Sequence, residues 1–206
     1  MINNRGKIVI ISSPSGGGKT SICKKLLSTH RRKKGWRFSI SYTTRQKRPN
    51  ERDGREYYFV SEKKFKALAK EDYFAEYCRV HLYYYGTPRE PLEKAVKDGG
   101  VMILDVDVQG AFKLKKEYPE AITIFVLPPS IEELKKRLKA RGTESREQLK
   151  VRFENAKKEM QHFNKFEYCV INQELEVAVK NVLCAINSHH LRSEFLSMEQ
   201  KRKLTV

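Results

Sequence analysis

Residues 13–20 read Ser13-Pro14-Ser15-Gly16-Gly17-Gly18-Lys19-Thr20, and this glycine-rich stretch is the strongest indication of the fold. It follows residues 8–11, a short β-branched run that is typical of a buried parallel strand. In residues 20–30, which come next, apolar side chains at positions 22, 23, 26 and 27 form a helical stripe. The order of strand, glycine-rich turn and helix is the context of a phosphate-binding loop.

The stretch matches the loop pattern G-x-x-x-x-G-K-[ST], except that Ser13 replaces the first glycine. Serine tolerates most turn geometries, so the replacement would matter only at a positive φ. Backbone N–H groups of such a loop wrap a β-phosphate, and the helix N-terminus adds positive charge. Lys19 is predicted to reach the β- and γ-phosphates, and the Thr20 hydroxyl to bind Mg²⁺. We predict a triphosphate-binding site formed by Ser13, Pro14, Ser15, Gly16, Gly17, Gly18, Lys19, Thr20 and Ser21.

The composition is that of a globular protein with an ordinary core. The 206 residues are 39% hydrophobic and 33% charged, which argues against general disorder. The 42 basic and 25 acidic residues give a formal net charge of +17. This charge attracts polyanions such as nucleotides, RNA or anionic lipid, but a solvated lysine-rich surface explains it equally well.

The cysteines and histidines show no pattern of a metal site. The cysteines at 23, 78, 169 and 184 are scattered, with no CxxC and no Cys/His cluster of zinc spacing. We predict reduced, mostly buried thiols, and a solvent-exposed pair His189-His190. Residues 8–11 are too short an apolar run for a signal peptide or a membrane span. We therefore expect a cytoplasmic protein without membrane contact.

Further apolar runs predict an α/β fold with a parallel sheet covered by helices on both faces. Additional strands are predicted at 101–106, 122–127 and 168–171. Helices are predicted at 62–70, 90–97, 111–116, 131–140, 145–163 and 174–200, with Ser61 and Ser130 as capping residues. Strand-like stretches at 37–43, 56–60 and 73–85 break the alternation, so residues 39–90 are predicted to form a β-rich insertion.

A carboxylate ends the apolar strand that is predicted at 101–106. Phosphoryl-transfer enzymes of this loop class place a metal-binding carboxylate at such a strand end, and Asp105 occupies that position. Asp107 follows two residues later and points to the same side if the strand continues. We predict that Asp105 lies beside the metal with Thr20, although an ordinary strand-end turn would show the same pattern.

The insertion is rich in residue types that bind phosphate. Residues 41–51 read Ser41-Tyr42-Thr43-Thr44-Arg45-Gln46-Lys47-Arg48-Pro49-Asn50-Glu51. Two arginines three positions apart can clamp one phosphate from two directions. The run resembles the GMP-binding signature S-x-T-T-R-x-x-R-x-G-E of guanylate kinases, with Asn50 in place of the glycine.

The resemblance extends from about residue 7 to about residue 186. Glu76 and the segments 84–87, 103–110, 128–130 and 137–142 match the family in order and spacing. The resemblance implies a three-layer P-loop NTPase core with a parallel sheet, a β-rich GMP-binding insert and a small helical lid. Within this one domain the implied boundaries are a core at 1–38, 91–129 and 154–206, an insert at 39–90 and a lid at 130–153.

The resemblance also implies how GMP is held at its phosphate. Arg45, Arg48, Tyr57 and Tyr85 would bind the phosphate group. Glu51 would orient an arginine, which we expect to be Arg48.

The guanine base has its own implied set of contacts. Glu76 would accept hydrogen bonds from guanine N1–H and the 2-amino group. Ser41 and Thr87 would donate to O6 or N7. Gly86 belongs to the same implied site, and Asp107 lies near the same nucleotide with its partner left open.

On the ATP side, the resemblance implies arginines that close over the phosphates. The implied catalytic residues are Lys19, Arg45, Arg137, Arg141 and Arg152. Arg137 and Arg141 are four apart on one helix and so share a face, although a solvated basic helix face would explain each arginine alone. Asn172 is implied to lie near the adenine, with Gln173 in place of the usual aspartate.

The implied activity is Mg²⁺-assisted, in-line phosphorylation of GMP, and also dGMP, to GDP by ATP, in purine nucleotide metabolism. The expected partners are ATP and GMP, with no specific nucleic acid. Three alternatives stay open: another nucleoside monophosphate kinase, a non-catalytic interaction module of the same fold, and an RNA-binding protein suggested only by the net charge.

Overall fold

A computed structural model of the chain describes residues 6–30, 35–80, 82–140 and 146–189. The strands in chain order are β1 (Lys7–Ser12), β2 (Trp36–Phe38), β3 (Tyr42–Thr43), β4 (Tyr58–Phe59), β5 (Phe74–Val80), β6 (Tyr83–Pro88), β7 (Val101–Asp105), β8 (Ile122–Leu127) and β9 (Tyr168–Ile171). The helices are α1 (Lys19–His30), α2 (Glu62–Lys70), α3 (Arg89–Lys97), α4 (Val108–Glu117), α5 (Ile131–Lys139), α6 (Arg146–Met160) and α7 (Leu175–Ser188), with a 3₁₀ turn at Phe163–Lys165.

The main sheet has the order β2-β7-β1-β8-β9, and all its neighbouring strands are parallel. Successive side chains of β1 point to opposite faces of the sheet, as a strand requires. Val9 and Ile11 pack into a cluster with residues of α1 and α7, whereas Ile8 and Ile10 pack with residues of α3 and α4. The predicted three-layer α/β arrangement with a parallel sheet is confirmed.

The insertion forms a second sheet with the order β4-β3-β6-β5. Its inner side is aromatic: Phe65 of α2 stacks on Phe74, with 4.6 Å between ring centroids, and on Tyr84 at 5.5 Å. Helix α2 begins after Ser61, whose hydroxyl accepts from the backbone N–H of Lys64, as predicted. The aromatic packing gives the insertion a small core of its own.

Several predicted boundaries change for identifiable reasons. The stretch predicted as one strand at 37–43 is divided between β2 of the main sheet and β3 of the insertion. Helix α4 starts three residues earlier than predicted, because Asp107 caps it. Helix α6 runs through the predicted lid boundary at residue 153, and the final helix is described only to Ser188. The division into core, insert and lid stays a prediction.

Two predictions about side-chain exposure are wrong. His189 is only 4% exposed, because it follows the last turn of α7 and packs beside the ring of Tyr168. His190 lies outside the described residues. Cys23 and Cys78 are buried as predicted, but Cys169 and Cys184 are exposed. Within the described ranges, no helix is long and apolar enough to cross a bilayer.

Candidate active site

The glycine-rich loop joins the end of β1, at Ser12, to the start of α1, at Lys19. Gly16 and Gly18 have φ angles of 89° and 94°, which favour glycine. Asp72 is the one non-glycine residue with positive φ in the part of the chain that the structure describes. Ser13 therefore has a backbone conformation that serine adopts without strain, so its replacement of glycine leaves the loop intact.

The lysine of the loop is paired with the carboxylate at the end of β7. The Lys19 Nζ lies 2.7 Å from Asp105 Oδ1 and donates to the carbonyl of Val106 at 2.6 Å. Burial favours loss of the lysine proton, but the attraction and hydrogen bond of Asp105 outweigh it and raise the pKa of Lys19. The lysine is therefore a fixed positive charge at the loop.

The predicted pair of metal ligands comes together in the structure. Thr20 Oγ1 donates to Asp105 Oδ2 at 2.9 Å. A hydroxyl and a carboxylate are oxygen ligands of the kind Mg²⁺ takes, usually with waters and substrate phosphates as the rest. Among the described residues, no group of three His, Cys, Asp or Glu side chains could hold a metal ion alone. The pair fits a Mg²⁺ ion that is shared with a nucleotide.

A cleft of about 190 Å³ separates the loop from the insertion. It is lined by Lys19, Ser41, Tyr57, Glu76, Cys78, Val80, Tyr85, Asp105, Val106 and Asp107. Residues predicted for the triphosphate, the metal and GMP therefore face one space. Cys78, Val80 and Val106 also line this space, although no sequence motif predicted a place for them in the site.

Glu76 is the most unusual side chain of the cleft. It is 7% exposed, and its Oε1 accepts from Thr87 Oγ1 at 2.8 Å. Its Oε2 is buried without a hydrogen-bond partner among the described residues. Burial raises the pKa of Glu76 to about 7; the Thr87 hydroxyl opposes this shift, and the charge of Asp107 adds to it. The carboxyl group thus has one acceptor that no described residue satisfies, on a side chain that lines the cleft.

Thr87 and Gly86 are consecutive residues of β6 with different surroundings. Thr87 and Gly86 are adjacent on β6 and so point to opposite faces. Thr87 reaches Glu76, whereas a Cβ on Gly86 would lie 2.9 Å from Phe74 and 3.0 Å from Phe65. The glycine at this position makes room for the aromatic core of the insertion.

Asp107 caps α4 and faces Glu76. Its Oδ1 accepts from the backbone N–H of Gly110 at 2.9 Å and from Cys78 Sγ at 3.5 Å. Burial and the nearby carboxylates raise the pKa of Cys78 well above its ordinary value. Asp107 is thus held by the first turn of α4 and by Cys78.

The arginines of the insertion differ in position. Arg45 Nη2 donates to Glu51 Oε1 at 2.8 Å, and its guanidinium lies 5.6 Å from the centroid of the Tyr57 ring. Arg48 is exposed and contacts Glu51 through its main chain: its N–H donates to Glu51 Oε2 at 2.9 Å, and its carbonyl accepts from the Glu51 N–H at 3.1 Å. The expectation that Glu51 orients the Arg48 side chain is wrong, because the turn from 48 to 51 brings the main chain of Arg48 to the carboxylate.

Two tyrosines stand beside Arg45. The rings of Tyr57 and Tyr85 lie 5.8 Å apart between centroids. Burial, with the charge of Asp105, raises the pKa of Tyr57 to about 12. The Tyr57 hydroxyl thus stays protonated at neutral pH and can donate to an anion.

Helices α5 and α6 place arginines at the loop and at the strand end beside it. Arg152 Nη2 donates to Ser15 Oγ at 2.7 Å, and Arg137 Nη2 donates to the carbonyl of Asn172 at 2.9 Å. The Asn172 amide in turn donates to the carbonyl of Gly17 at 3.0 Å. Arg141 lies outside the described residues. Two of the three predicted lid arginines are therefore next to the loop or to the strand end beside it.

One carboxylate at the loop was not anticipated. Glu159 Oε2 of α6 accepts from the backbone N–H of Ser15 at 3.0 Å. The two residues are 144 positions apart, so no local pattern pointed to the contact. Ser15 is thus held by α6 through both its main chain and its hydroxyl.

A parallel sheet whose first strand leads through this loop into α1, with Asp105 across from Lys19, defines the chain as a P-loop NTPase fold. The sequence profile of the family described as Guanylate kinase matches residues 5–189. The chain belongs to the guanylate kinase family of enzymes.

Individual relatives agree with this assignment. The chain is 44% identical over 191 residues to a guanylate kinase of Caldanaerobacter subterraneus, covering 93% of this chain and 91% of that protein. It is 44% identical over 179 residues to a guanylate kinase of Rickettsia prowazekii, covering 87% and 89%. The crystal structure of guanylate kinase from Anaplasma phagocytophilum superposes with a TM-score of 0.78 at 30% identity, covering 93% of this chain and 90% of that one.

Proposed function

We propose that the chain transfers the γ-phosphoryl group of ATP to GMP, and also to dGMP, giving GDP or dGDP and ADP. The observation that carries this proposal is the free Oε2 of Glu76, buried in the cleft that also contains Lys19 and Asp105. Guanine presents two neighbouring donors, N1–H and the 2-amino group, which suit such an acceptor. Ser41 would donate to O6 or N7, and Thr87 would do so by turning its single hydroxyl proton away from Glu76 Oε1.

The same carboxylate discriminates against adenine. Adenine lacks both donors, so bound AMP would leave Glu76 Oε2 buried and unpaired, at a cost of about 1–3 kcal/mol or more for a charged group. Sites built to hydrogen-bond a substrate reject analogues that lack the group by roughly 10⁴-fold. We therefore expect a strong preference for guanine nucleotides.

The phosphate of GMP is assigned to Arg45, Arg48, Tyr57 and Tyr85. Arg45 is already oriented by Glu51, which reduces the entropy lost when the phosphate binds. Arg48 would turn from solvent toward the phosphate when GMP is present.

At the triphosphate, the loop amides and Lys19 bind the phosphates, with Ser21 and Asn172 completing the ATP site. Thr20 and Asp105 would hold Mg²⁺, which when bound supplies charge neutralisation at the β- and γ-phosphates. Arg137, Arg141 and Arg152 would place positive charge around the transferring group. The lid at 130–153 and the insert at 39–90 would close toward the core to exclude water.

The reaction itself requires little acid–base chemistry. An oxygen of the GMP phosphate attacks the γ-phosphorus in line, while the bond to the β–γ bridging oxygen breaks and ADP leaves. A phosphate monoester has a second pKa near 6 and is largely ionised at pH 7, so no strong general base is required. Catalysis consists of positioning and charge stabilisation by Lys19 and the arginines.

The test is a comparison of GMP, dGMP, AMP, dTMP and UMP as acceptors with ATP and Mg²⁺. A preference for any base other than guanine would overturn the assignment.

Lys19→Ala should reduce kcat by about 10²-fold or more, with Lys24→Ala, an exposed lysine on α1, as control. Equal ADP release by wild type and Lys19→Ala would instead favour a non-catalytic interaction module. We place the protein in the cytoplasm, with no specific nucleic acid partner.

A further inference from the structure

Gly110 lies in the first turn of α4, where the backbone does not require glycine. It is absent from the glycines with positive φ in the described part of the chain. Alanine is favoured over glycine by about 1 kcal/mol within a helix. The presence of glycine at position 110 therefore calls for another physical reason.

Space beside two carboxylates provides that reason. A Cβ at Gly110 would lie 3.0 Å from Asp107 Oδ1, 3.2 Å from Glu76 Oε2 and 3.4 Å from Glu76 Cδ. Contacts of 3.0–3.4 Å are tighter than nine in ten real Cβ contacts, so a neighbour would have to move. The Glu76 oxygen that lacks a protein partner is thus one of the two atoms that a side chain at position 110 would displace.

Neither carboxylate can move without losing a bond. The other oxygen of Glu76 is held by Thr87, and Asp107 Oδ1 is held by the N–H of Gly110 itself. A shift of Glu76 by a few tenths of an ångström would strain the Thr87 bond or carry Oε2 away from its position in the cleft. Gly110 therefore both anchors one carboxylate and leaves room for the other.

We propose that Gly110 is a specificity-determining positioning residue that sets where the Glu76 carboxylate meets the guanine edge. This inference rests on the proposed function, in which Glu76 reads guanine. Gly110 acts through Glu76 and Asp107. Because it has no side chain, it leaves both carboxylates in their positions.

The test is the variant Gly110→Ala, measured with GMP and ATP varied separately. We expect the KM for GMP to rise about 10- to 100-fold, since small misplacements of binding groups have effects of this size. The KM for ATP should stay unchanged, and the melting temperature should stay close to that of wild type, because the gain of about 1 kcal/mol from alanine in a helix offsets the strain on the two carboxylates. The matched control is Gln109→Ala, an exposed residue of the same turn, which should leave every parameter at the wild-type value.

The variant Glu76→Gln separates the two levels of the proposal. If Glu76→Gln leaves the KM for GMP unchanged, the proposed function itself is wrong. If Glu76→Gln raises that KM and Gly110→Ala does not, only the role of Gly110 is overturned. In the double variant, the two effects should combine less than multiplicatively because both act on one contact; fully multiplicative effects would contradict the inference.

Discussion

Glu159 accepts a hydrogen bond from the backbone N–H of Ser15, so a helix far along the chain fixes the main chain of the phosphate loop. The distance from Oε2 to the nitrogen is 3.0 Å. The loop must present several N–H groups to a phosphate at once, and the hydrogen bond to Glu159 constrains the path of its main chain. The contact links the shape of the ATP site to the position of α6.

Loss of this link should weaken ATP binding. We expect Glu159→Ala to raise the KM for ATP roughly tenfold, because a hydrogen bond to a charged group contributes about 1.5–3 kcal/mol. Glu159→Gln keeps an acceptor and should retain most of the affinity. The control is Glu154→Ala, an exposed glutamate of the same helix paired with Lys157. An unchanged KM for ATP in Glu159→Ala would show that the loop keeps its shape without this contact.

Binding of GMP should depend on pH through Glu76. Its pKa is about 7 in the free protein, and two guanine donors require the ionised carboxylate. We expect the KM for GMP to rise about tenfold per pH unit as the pH falls below this value.

The variant Glu76→Gln is the control for the pH dependence of GMP binding. GMP itself gains a proton near pH 6, and that change persists in Glu76→Gln. The variant should bind GMP weakly and lose the pH dependence near 7. A wild-type KM that stays flat between pH 8 and pH 6.5 would contradict the assignment of Glu76.

The buried carboxylate of Glu76 should lower the free energy of unfolding at high pH. A glutamate whose pKa rises from 4.5 in the unfolded chain to about 7 in the folded one binds more protons when folded. Stability is therefore lost as the pH rises from about 4.5 through about 7. We expect Glu76→Gln to be more stable than wild type by roughly 2–3 kcal/mol at pH 8. Denaturant unfolding at pH 8 and pH 5 measures the difference, which should shrink to about 1 kcal/mol or less at pH 5.

The contribution of Glu51 to the orientation of Arg45 should be measurable from the KM for GMP. Glu51→Ala removes the carboxylate 2.8 Å from Arg45 Nη2 and frees the guanidinium. We expect the KM for GMP to rise about five- to tenfold, equivalent to about 1 kcal/mol or slightly more, with the KM for ATP unchanged. Glu56→Ala, which breaks the nearby surface pair with Arg55, is the matched control. Similar effects in both variants would argue for a general loosening of the insertion.

The periodicity of the sequence predicted most of the fold. The strands at 122–127 and 168–171 have the predicted bounds, because buried parallel strands are continuous apolar runs. The strand expected at 37–43 is divided instead, since the chain leaves the main sheet after Phe38 and enters another sheet at Tyr42. The hydrophobic pattern of a sequence predicts which residues are buried, but it does not predict which sheet a strand joins.

The site was predictable where its residues form local motifs. The pairing of Thr20 with Asp105 followed from a loop pattern and a strand end. The contacts of Glu159 and Gly110 depend on helix packing across long sequence separations, and no residue pattern marks them. The carboxylate of Glu51 pairs with the side chain of Arg45, whereas Arg48 was predicted. This pairing depends on the geometry of a turn, which a single sequence does not specify.

The division of β1 between two clusters has a consequence for how the protein unfolds. Because Val9 and Ile11 belong to one cluster and Ile8 and Ile10 to the other, neither helical layer can melt while the strand keeps its place. The layers should unfold together as one cooperative unit. Within the described residues, Phe65 and Phe74 of the insertion belong to neither cluster. The insertion can therefore open locally, and its amide hydrogens should exchange with solvent before those of β1.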